Sequence, residues 1–179
     1  MAFKQLFILI EGDDDERFFR HIITPILQER YTYVQFYQYA QRSASVIGSF
    51  IRSIQAMKAD YIIAGDIDEI PCITQKKETL KNEKLKKADI QNNHIAIIIK
   101  EIESWYMAGL DEKALHKLGI SYKKDDTNNL TKEVFDSFVH GKYKSRINLM
   151  QEILRLFQID TAQKRNRSFE YFTLKYSMN

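Results

Sequence analysis

The chain has 179 residues, of which 44% are hydrophobic and 28% are charged, and its formal net charge is +3. This length and composition suit one compact domain with a full core. The mild basic excess allows a nucleic-acid partner without requiring one. The one cysteine, Cys72, excludes an internal disulfide, and no apolar run is long enough for a membrane span or a signal peptide. We therefore expect a cytoplasmic protein with no membrane partner.

The first part of the chain alternates strand-like with helix-like patterns. Apolar, aromatic and β-branched residues predict strands at 6–10, 33–39 and 61–64. Apolar residues at helical spacing predict helices at 18–27 and 46–54. We expect Asp13 or Asp14 to cap the first helix, and Pro25 to kink or loosen it. This order of elements predicts a parallel sheet flanked by helices.

The second part is predicted to add one strand and then helices only. A lysine-rich stretch at 75–88 predicts an exposed helix, and its charge is either a solvated face or a surface for phosphates. Residues 94–99 predict a fourth buried strand. Helical patterns follow at 112–118, 130–139, 142–157 and 162–172. We expect an α/β core over residues 1–110, with a mostly parallel four-stranded sheet, and a helical extension over 111–179 packed on the same domain.

Carboxylates follow the predicted strands. Glu11 ends the first strand and stands beside Gly12, which permits a tight turn; Asp66 and Asp68 end the third. Parallel strands bring these ends to one edge of the sheet, where ligands bind in such folds. Asp66 and Asp68 point to one side of an extended chain, and like charges so placed favour a cation between them. The alternative is a loop whose aspartates cap the next helix.

Further acidic residues are candidates to complete the site. Asp15 lies four residues after Glu11, at the start of a helix, and is able to face the same space. Glu101 and Glu103 follow the fourth strand. They point the same way if the backbone stays extended, but diverge by roughly 200° if a helix begins at Glu101, so that only one faces the site. All these ligands are oxygen, which Mg²⁺ or Mn²⁺ prefers, and the scattered histidines offer no zinc set.

Basic side chains are candidates for contact with phosphates. The densest late cluster consists of Lys164, Arg165 and Arg167, and Arg42 follows the second predicted strand. Such a cluster is either an ordinary surface patch or a nucleic-acid contact. The sequence leaves both interpretations open.

These motifs together resemble the TOPRIM fold, the metal-binding domain of topoisomerases, primases and OLD (overcoming lysogenization defect) nucleases. The resemblance rests on Phe-Ile-Leu-Ile-Glu-Gly at 7–12 and the later Asp66-Ile67-Asp68. It implies that Glu11, Asp66 and Asp68 bind divalent metal. Asp15 is similar to an acidic residue of OLD-type nucleases, and Lys164 is the candidate for their late catalytic lysine.

The resemblance extends to later segments. Residues 101–105 and 167–169 are similar to those of a group of small bacterial TOPRIM-like proteins. No ATPase domain accompanies them, so the likeness to OLD proteins covers only their nuclease half. This implies a possible protein partner, such as an ATPase on a separate chain.

Three functions are consistent with the sequence. The leading hypothesis is a Mg²⁺- or Mn²⁺-dependent nuclease, with DNA favoured over RNA, whose catalytic residues are Glu11, Asp66, Asp68 and Lys164. The second is a non-catalytic metal- or nucleotide-binding module that acts beside a partner. The third is a receiver-like domain in which Asp13 and Asp14 form the acidic pair and Asp66 accepts a phosphoryl group.

Overall fold

The computed structural model of the protein describes residues 4–86 and 88–177. The chain divides between Ile97 and Ile98 into two compact units. We call residues up to Ile97 the sheet unit and the residues from Ile98 onward the helical unit. The expected division into residues 1–110 and 111–179 stays a prediction.

The sheet unit is built on a four-stranded sheet with the order β2-β1-β3-β4. Its strands are β1 Gln5–Ile10, β2 Tyr33–Gln38, β3 Asp60–Asp66 and β4 Ile95–Ile98, whose last residue lies at the unit boundary. Strand β1 pairs in parallel with β2, from Gln5 opposite Tyr33, and with β3, from Leu6 opposite Asp60. The predicted fold class, a four-stranded parallel α/β sheet with flanking helices, is confirmed.

Helices connect these strands. They are α1 Asp13–Phe18, a π-helical turn Phe19–Ile23, α2 Thr24–Leu27, α3 Ala44–Ala56, α4 Ile73–Glu83 and a 3₁₀ turn Asn92–His94. Helix α3 buries Ile47, Ile51 and Ile54, each 0% exposed, because residues three and four apart share one helix face. These isoleucines belong to one hydrophobic core with Leu9 and Ile63 of the central strands.

The first helix differs from its prediction at its start. Its N-cap is Gly12, so the expectation that Asp13 or Asp14 caps it is wrong. The carboxylate of Asp15 instead reaches back to the Gly12 N–H, at 3.0 Å. The helix does loosen near Pro25, as predicted: the ring nitrogen has no hydrogen to donate, and the preceding turn widens into the π form.

The helical unit consists of six helices among its described residues. They are α5 Ile102–Ala108, α6 Glu112–Leu118, α7 Lys132–Asp136, α8 Arg146–Leu156, α9 Ile159–Arg165 and α10 Arg167–Ser177. Every residue of α5 is buried, and Trp105 stacks edge-on against Phe169 and Phe172 of α10. Over residues 4–86 and 88–177, no helix has the length and apolar character that a membrane crossing needs.

Candidate functional site

The strand register brings Glu11 and Asp66 together. Leu9 pairs with Ile63, so continuing the parallel register by two residues sets Glu11 level with Gly65, next to Asp66. The Asp66 backbone N–H donates to Glu11 Oε1 at 3.2 Å. This contact joins the carboxyl ends of β1 and β3, the edge at which parallel α/β sheets bind ligands.

Tyr39 holds the Glu11 carboxylate in place through its hydroxyl group. It follows β2 and is 1% exposed, and its hydroxyl lies 3.2 Å from Glu11 Oε1 and 3.1 Å from the Ala64 carbonyl. Gly65 leaves room for this arrangement. A Cβ at that position would lie 2.8 Å from the Tyr39 hydroxyl and 3.0 Å from Glu11 Oε1, which is closer than atoms in contact allow.

Asp68 stands on a tight turn directly after β3. The turn is closed by the Ile70 N–H, which donates to the Ile67 carbonyl at 3.2 Å. The Asp68 backbone has φ of +52°, in the left-handed region, which aspartate tolerates better than most residues but which still carries strain. The carboxylate of Asp68 is half exposed, and its Oδ2 accepts a hydrogen bond from Lys76 Nζ at 2.6 Å.

Lys76 is the residue of this site that sequence reasoning missed. The lysine-rich helix was predicted to be exposed, and for Lys76 this is wrong, because the residue is only 6% exposed. A usable signal lay in the spacing. Lys76 precedes Leu80 by four residues and so shares the face of α4 that Leu80 buries. A buried ammonium group on such a face requires an acidic partner within hydrogen-bond reach.

The electrostatics of the cluster are dominated by Glu11. Burial raises the pKa of its carboxyl above the ordinary value, and the charge of Asp68 acts in the same direction. The positive charge of Lys76 and the hydrogen bonds from the Asp66 N–H and Tyr39 hydroxyl lower that pKa. Burial, followed by the charge of Glu11, raises the pKa of Tyr39 well above 10. Tyr39 is therefore a neutral hydrogen-bond donor.

Asp15 is buried, with 6% of its surface exposed. Its Oδ2 accepts the Gly12 N–H as described above, and it contributes to raising the pKa of Tyr39. Its predicted role as a metal ligand stays a prediction.

A cavity of about 510 Å³ borders Glu11. Arg42 also lines this cavity and is exposed, so a basic and an acidic residue border the same space. The remaining lining residues are small or polar: Gly12, Asp13, Gln38, Ala40 and Gln41. The cavity therefore suits a polar molecule better than an apolar one.

The donor atoms at this edge suit a hard divalent cation, because carboxylate oxygens are the ligands that Mg²⁺ and Mn²⁺ prefer. Glu11, Asp66 and Asp68 carry such oxygens at the ends of β1 and β3, where Glu11 Oε1 accepts the Asp66 backbone N–H. Within the part of the chain that the structure describes, no three His, Cys, Asp or Glu side chains are grouped closely enough to hold a metal ion. In this conformation the carboxylate of Asp68 is bonded to Lys76 instead.

The acidic pair after β4 lies in the helical unit. Helix α5 begins at Ile102 with the extended Glu101 as its N-cap, so the backbone does not stay extended through Glu103, and the helix begins one residue later than in the second predicted geometry. Glu101 Oε2 accepts the Lys132 N–H at 2.5 Å. Glu103 is 4% exposed and forms an ion pair with Arg146, which also bonds Asp136. A metal-ligand role for Glu101 or Glu103 stays a prediction.

The three basic residues of the late cluster differ in exposure: one side chain is partly buried and two are exposed. The guanidinium of Arg165 donates to four backbone carbonyls of its own unit, those of Met107, Leu110, Lys124 and Asp125. Lys164 and Arg167 are exposed. The predicted contacts of all three with nucleic acid stay predictions, but Arg165 has a clear role in holding loops together.

Asn166, which lies between Arg165 and Arg167 in the sequence, organises a buried polar network that sequence reasoning did not anticipate. Its Oδ1 accepts the N–H groups of Ser168 and Phe169 at 3.1 and 3.0 Å, which caps α10. Its Nδ2 donates to the hydroxyls of Ser104 and Thr127. The Ser168 hydroxyl in turn accepts the indole N–H of Trp105 at 2.8 Å.

Comparison with known proteins shows a likeness to a solved structure. No family model matches the sequence, and no curated protein matches it. Among solved structures, the chain is similar to the C-terminal region of the Burkholderia pseudomallei OLD protein, with a TM-score of 0.52 and 13% identity. The match covers 96% of this chain and 98% of that one. At this identity the likeness shows the fold: the chain has the Rossmann-like α/β architecture that its TOPRIM resemblance predicted.

Proposed function

We propose that this protein is a divalent-metal-dependent phosphodiester enzyme that cleaves nucleic acid, with DNA favoured over RNA. One observation carries the proposal. The Asp66 backbone N–H donates to Glu11 Oε1 at 3.2 Å, which joins the ends of two strands at the carboxyl edge of a parallel sheet, and the charge of Asp68 acts on the same Glu11 carboxylate. The fold shared with the OLD C-terminal region supports placing a TOPRIM-type site at this edge.

The residues of the sheet unit have distinct proposed roles. Glu11, Asp66 and Asp68 would hold Mg²⁺ or Mn²⁺, and Asp15, whose carboxylate accepts the N–H of the neighbouring Gly12, is a candidate to extend the set. A bound ion of this kind would supply activation of water and neutralisation of charge on the leaving oxygen. Tyr39 keeps the Glu11 carboxylate in one orientation through its hydroxyl.

Arg42 is proposed to position the substrate. Its guanidinium lines the cavity beside Glu11 and matches the geometry of a phosphate group, which it would bind with paired hydrogen bonds. In the helical unit, Lys164 and Arg167 are exposed and are proposed to contact more of the nucleic-acid backbone. Lys164 also remains the candidate for a catalytic lysine.

A second candidate is the non-catalytic module that acts beside a partner such as an ATPase. The likeness to the C-terminal region of an OLD protein favours it, because the shared fold then corresponds to one region of a larger protein. Both candidates include metal binding, and they differ in whether the isolated chain cleaves nucleic acid.

The test is calorimetric titration of Mg²⁺ and Mn²⁺ into the wild type and into Asp66→Asn, followed by incubation of the same samples with plasmid and single-stranded DNA. Asp60→Asn is the matched control, because Asp60 begins the same strand at its opposite end. We expect saturable binding and metal-dependent nicking that Asp66→Asn loses and Asp60→Asn keeps. Binding without nicking would favour the partner-dependent module. No binding to the wild type would refute the metal site.

A further inference from the structure

Lys76 is placed where a lysine is unfavourable. It lies in the first turn of α4, whose N-cap is Cys72, and it is 6% exposed. The N-terminal end of a helix carries partial positive charge, so a cation is destabilised there. Burial adds a further penalty to the charged ammonium group. A lysine in this place requires strong negative charge nearby.

The acidic strand ends provide that charge. Lys76 Nζ lies 2.6 Å from Asp68 Oδ2, a short, charge-assisted hydrogen bond. After burial, the largest influence on the Glu11 carboxyl is the positive charge of Lys76. The ammonium group of Lys76 therefore neutralises Asp68 by direct contact, and its charge also acts on Glu11, which ends a different strand of the sheet.

We propose that the ammonium group of Lys76 is an internal counter-ion of the acidic strand ends, and that a divalent metal ion binds there by displacing it from Asp68. The inference rests on the proposed function, because it assumes that these carboxylates bind metal. Lys76 thereby sets the metal concentration at which the site fills. When metal is scarce, the bond between Lys76 and Asp68 stays in place and the carboxylates remain neutralised. Displacement also leaves an ammonium group beside the site, where an anionic substrate would meet it.

Lys76→Met tests this directly, since methionine has a similar length and suits a buried position but carries no charge. Lys77→Met is the matched control, because Lys77 is the next residue on α4 and its ammonium group donates to the Asn92 carbonyl at 2.9 Å. Mg²⁺ is titrated calorimetrically into the wild type and both variants. Lys76→Gln serves as a second neutral variant, and circular dichroism verifies that each variant is folded.

We expect Lys76→Met and Lys76→Gln to bind Mg²⁺ about tenfold tighter or more, because a hydrogen bond to a charged group is worth at least about one power of ten in an equilibrium constant. Lys77→Met should bind like the wild type. If the wild type binds and the Lys76 variants bind equally or more weakly, the displacement is refuted while the proposed metal site stands.

Two outcomes remain. Binding by the Lys76 variants alone would refute the displacement, because the wild-type ammonium group would then hold Asp68 against the metal. Absence of binding by all proteins would overturn both the displacement and the proposed metal site.

Discussion

Replacing Arg165 with alanine tests whether this side chain serves the fold rather than the surface. Its guanidinium joins the end of α5 to the loop before α7 through four backbone carbonyls. Two of these belong to Met107 and Leu110, which are both 0% exposed, so water does not readily replace the lost donor. The other two belong to exposed residues, Lys124 and Asp125, whose carbonyls water will satisfy.

The expected loss of stability follows from the two buried carbonyls. A hydrogen bond from a charged donor contributes about 1.5–3 kcal/mol. The bond to Met107 is long, at 3.5 Å, and counts for less than the bond to Leu110. We therefore expect Arg165→Ala to lower the free energy of unfolding of the helical unit by about 2–4 kcal/mol. Arg165→Lys should fall between, because lysine keeps the charge but lacks the planar fork.

Urea unfolding followed by tryptophan fluorescence measures this effect. Trp105 is the only tryptophan of the chain and is 0% exposed within the helical unit, so its emission reports on that unit. With a slope of about 2 kcal/mol per molar urea, the midpoint should fall by about 1–2 M. Arg167→Ala is the control. Arg167 is exposed, and its substitution removes the same charge two residues away from Arg165. Equal midpoints for the two variants would refute the assigned role of Arg165.

Three further predictions concern the two units. Burial raises the pKa of Glu11 above 4.5, so the stability that its protonated form provides is present below pH 4.5 and is lost as pH rises through the raised value. Without metal, urea unfolding should therefore show that Glu11→Gln is more stable than the wild type at pH 7. Its free energy of unfolding should also change less with pH than that of the wild type. Lower stability of Glu11→Gln at pH 7 would contradict this. Gly65→Ala should cost about 1–3 kcal/mol in thermal unfolding, whereas Gly141→Ala, which has open space, should be neutral; equal effects would refute the close packing. Asn166→Ala should lower the free energy of unfolding by about 2–4 kcal/mol, because it leaves buried hydrogen-bond partners unsatisfied. Removal of the exposed helix cap in Ser145→Ala should cost about 1 kcal/mol. A smaller loss for Asn166→Ala than for Ser145→Ala would contradict the role of the Asn166 network.

The sheet could be predicted from the sequence because its signals are local. Residues 6–10 form an uninterrupted apolar run because β1 lies inside the sheet with neighbours on both sides. Period and composition, however, do not specify where a helix begins. Asp13 and Asp14 are both good caps by residue type, yet the chain turns at Gly12, and Asp15 accepts the free N–H there. Several acceptable caps in a row leave the choice to tertiary packing.

The site could be predicted only as far as strand ends determine it. The parallel register explains why Glu11 and Asp66 meet, although they are 55 residues apart in the chain. No comparable rule predicts from the sequence which charged side chains pair with each other. Lys76 reaches Asp68 through the turn of a helix, and Arg146 reaches Glu103 across 43 residues without a shared sheet register.

This difference matters for the chemistry of the site. A carboxylate that the sequence presents as a free ligand is, in the folded chain, a ligand in competition with an internal cation. Its affinity for metal is therefore set as much by the cation nearby as by the number of acidic residues, and counting carboxylates at strand ends locates such a site without giving its strength. For Asp68, the competing cation is Lys76, at 2.6 Å.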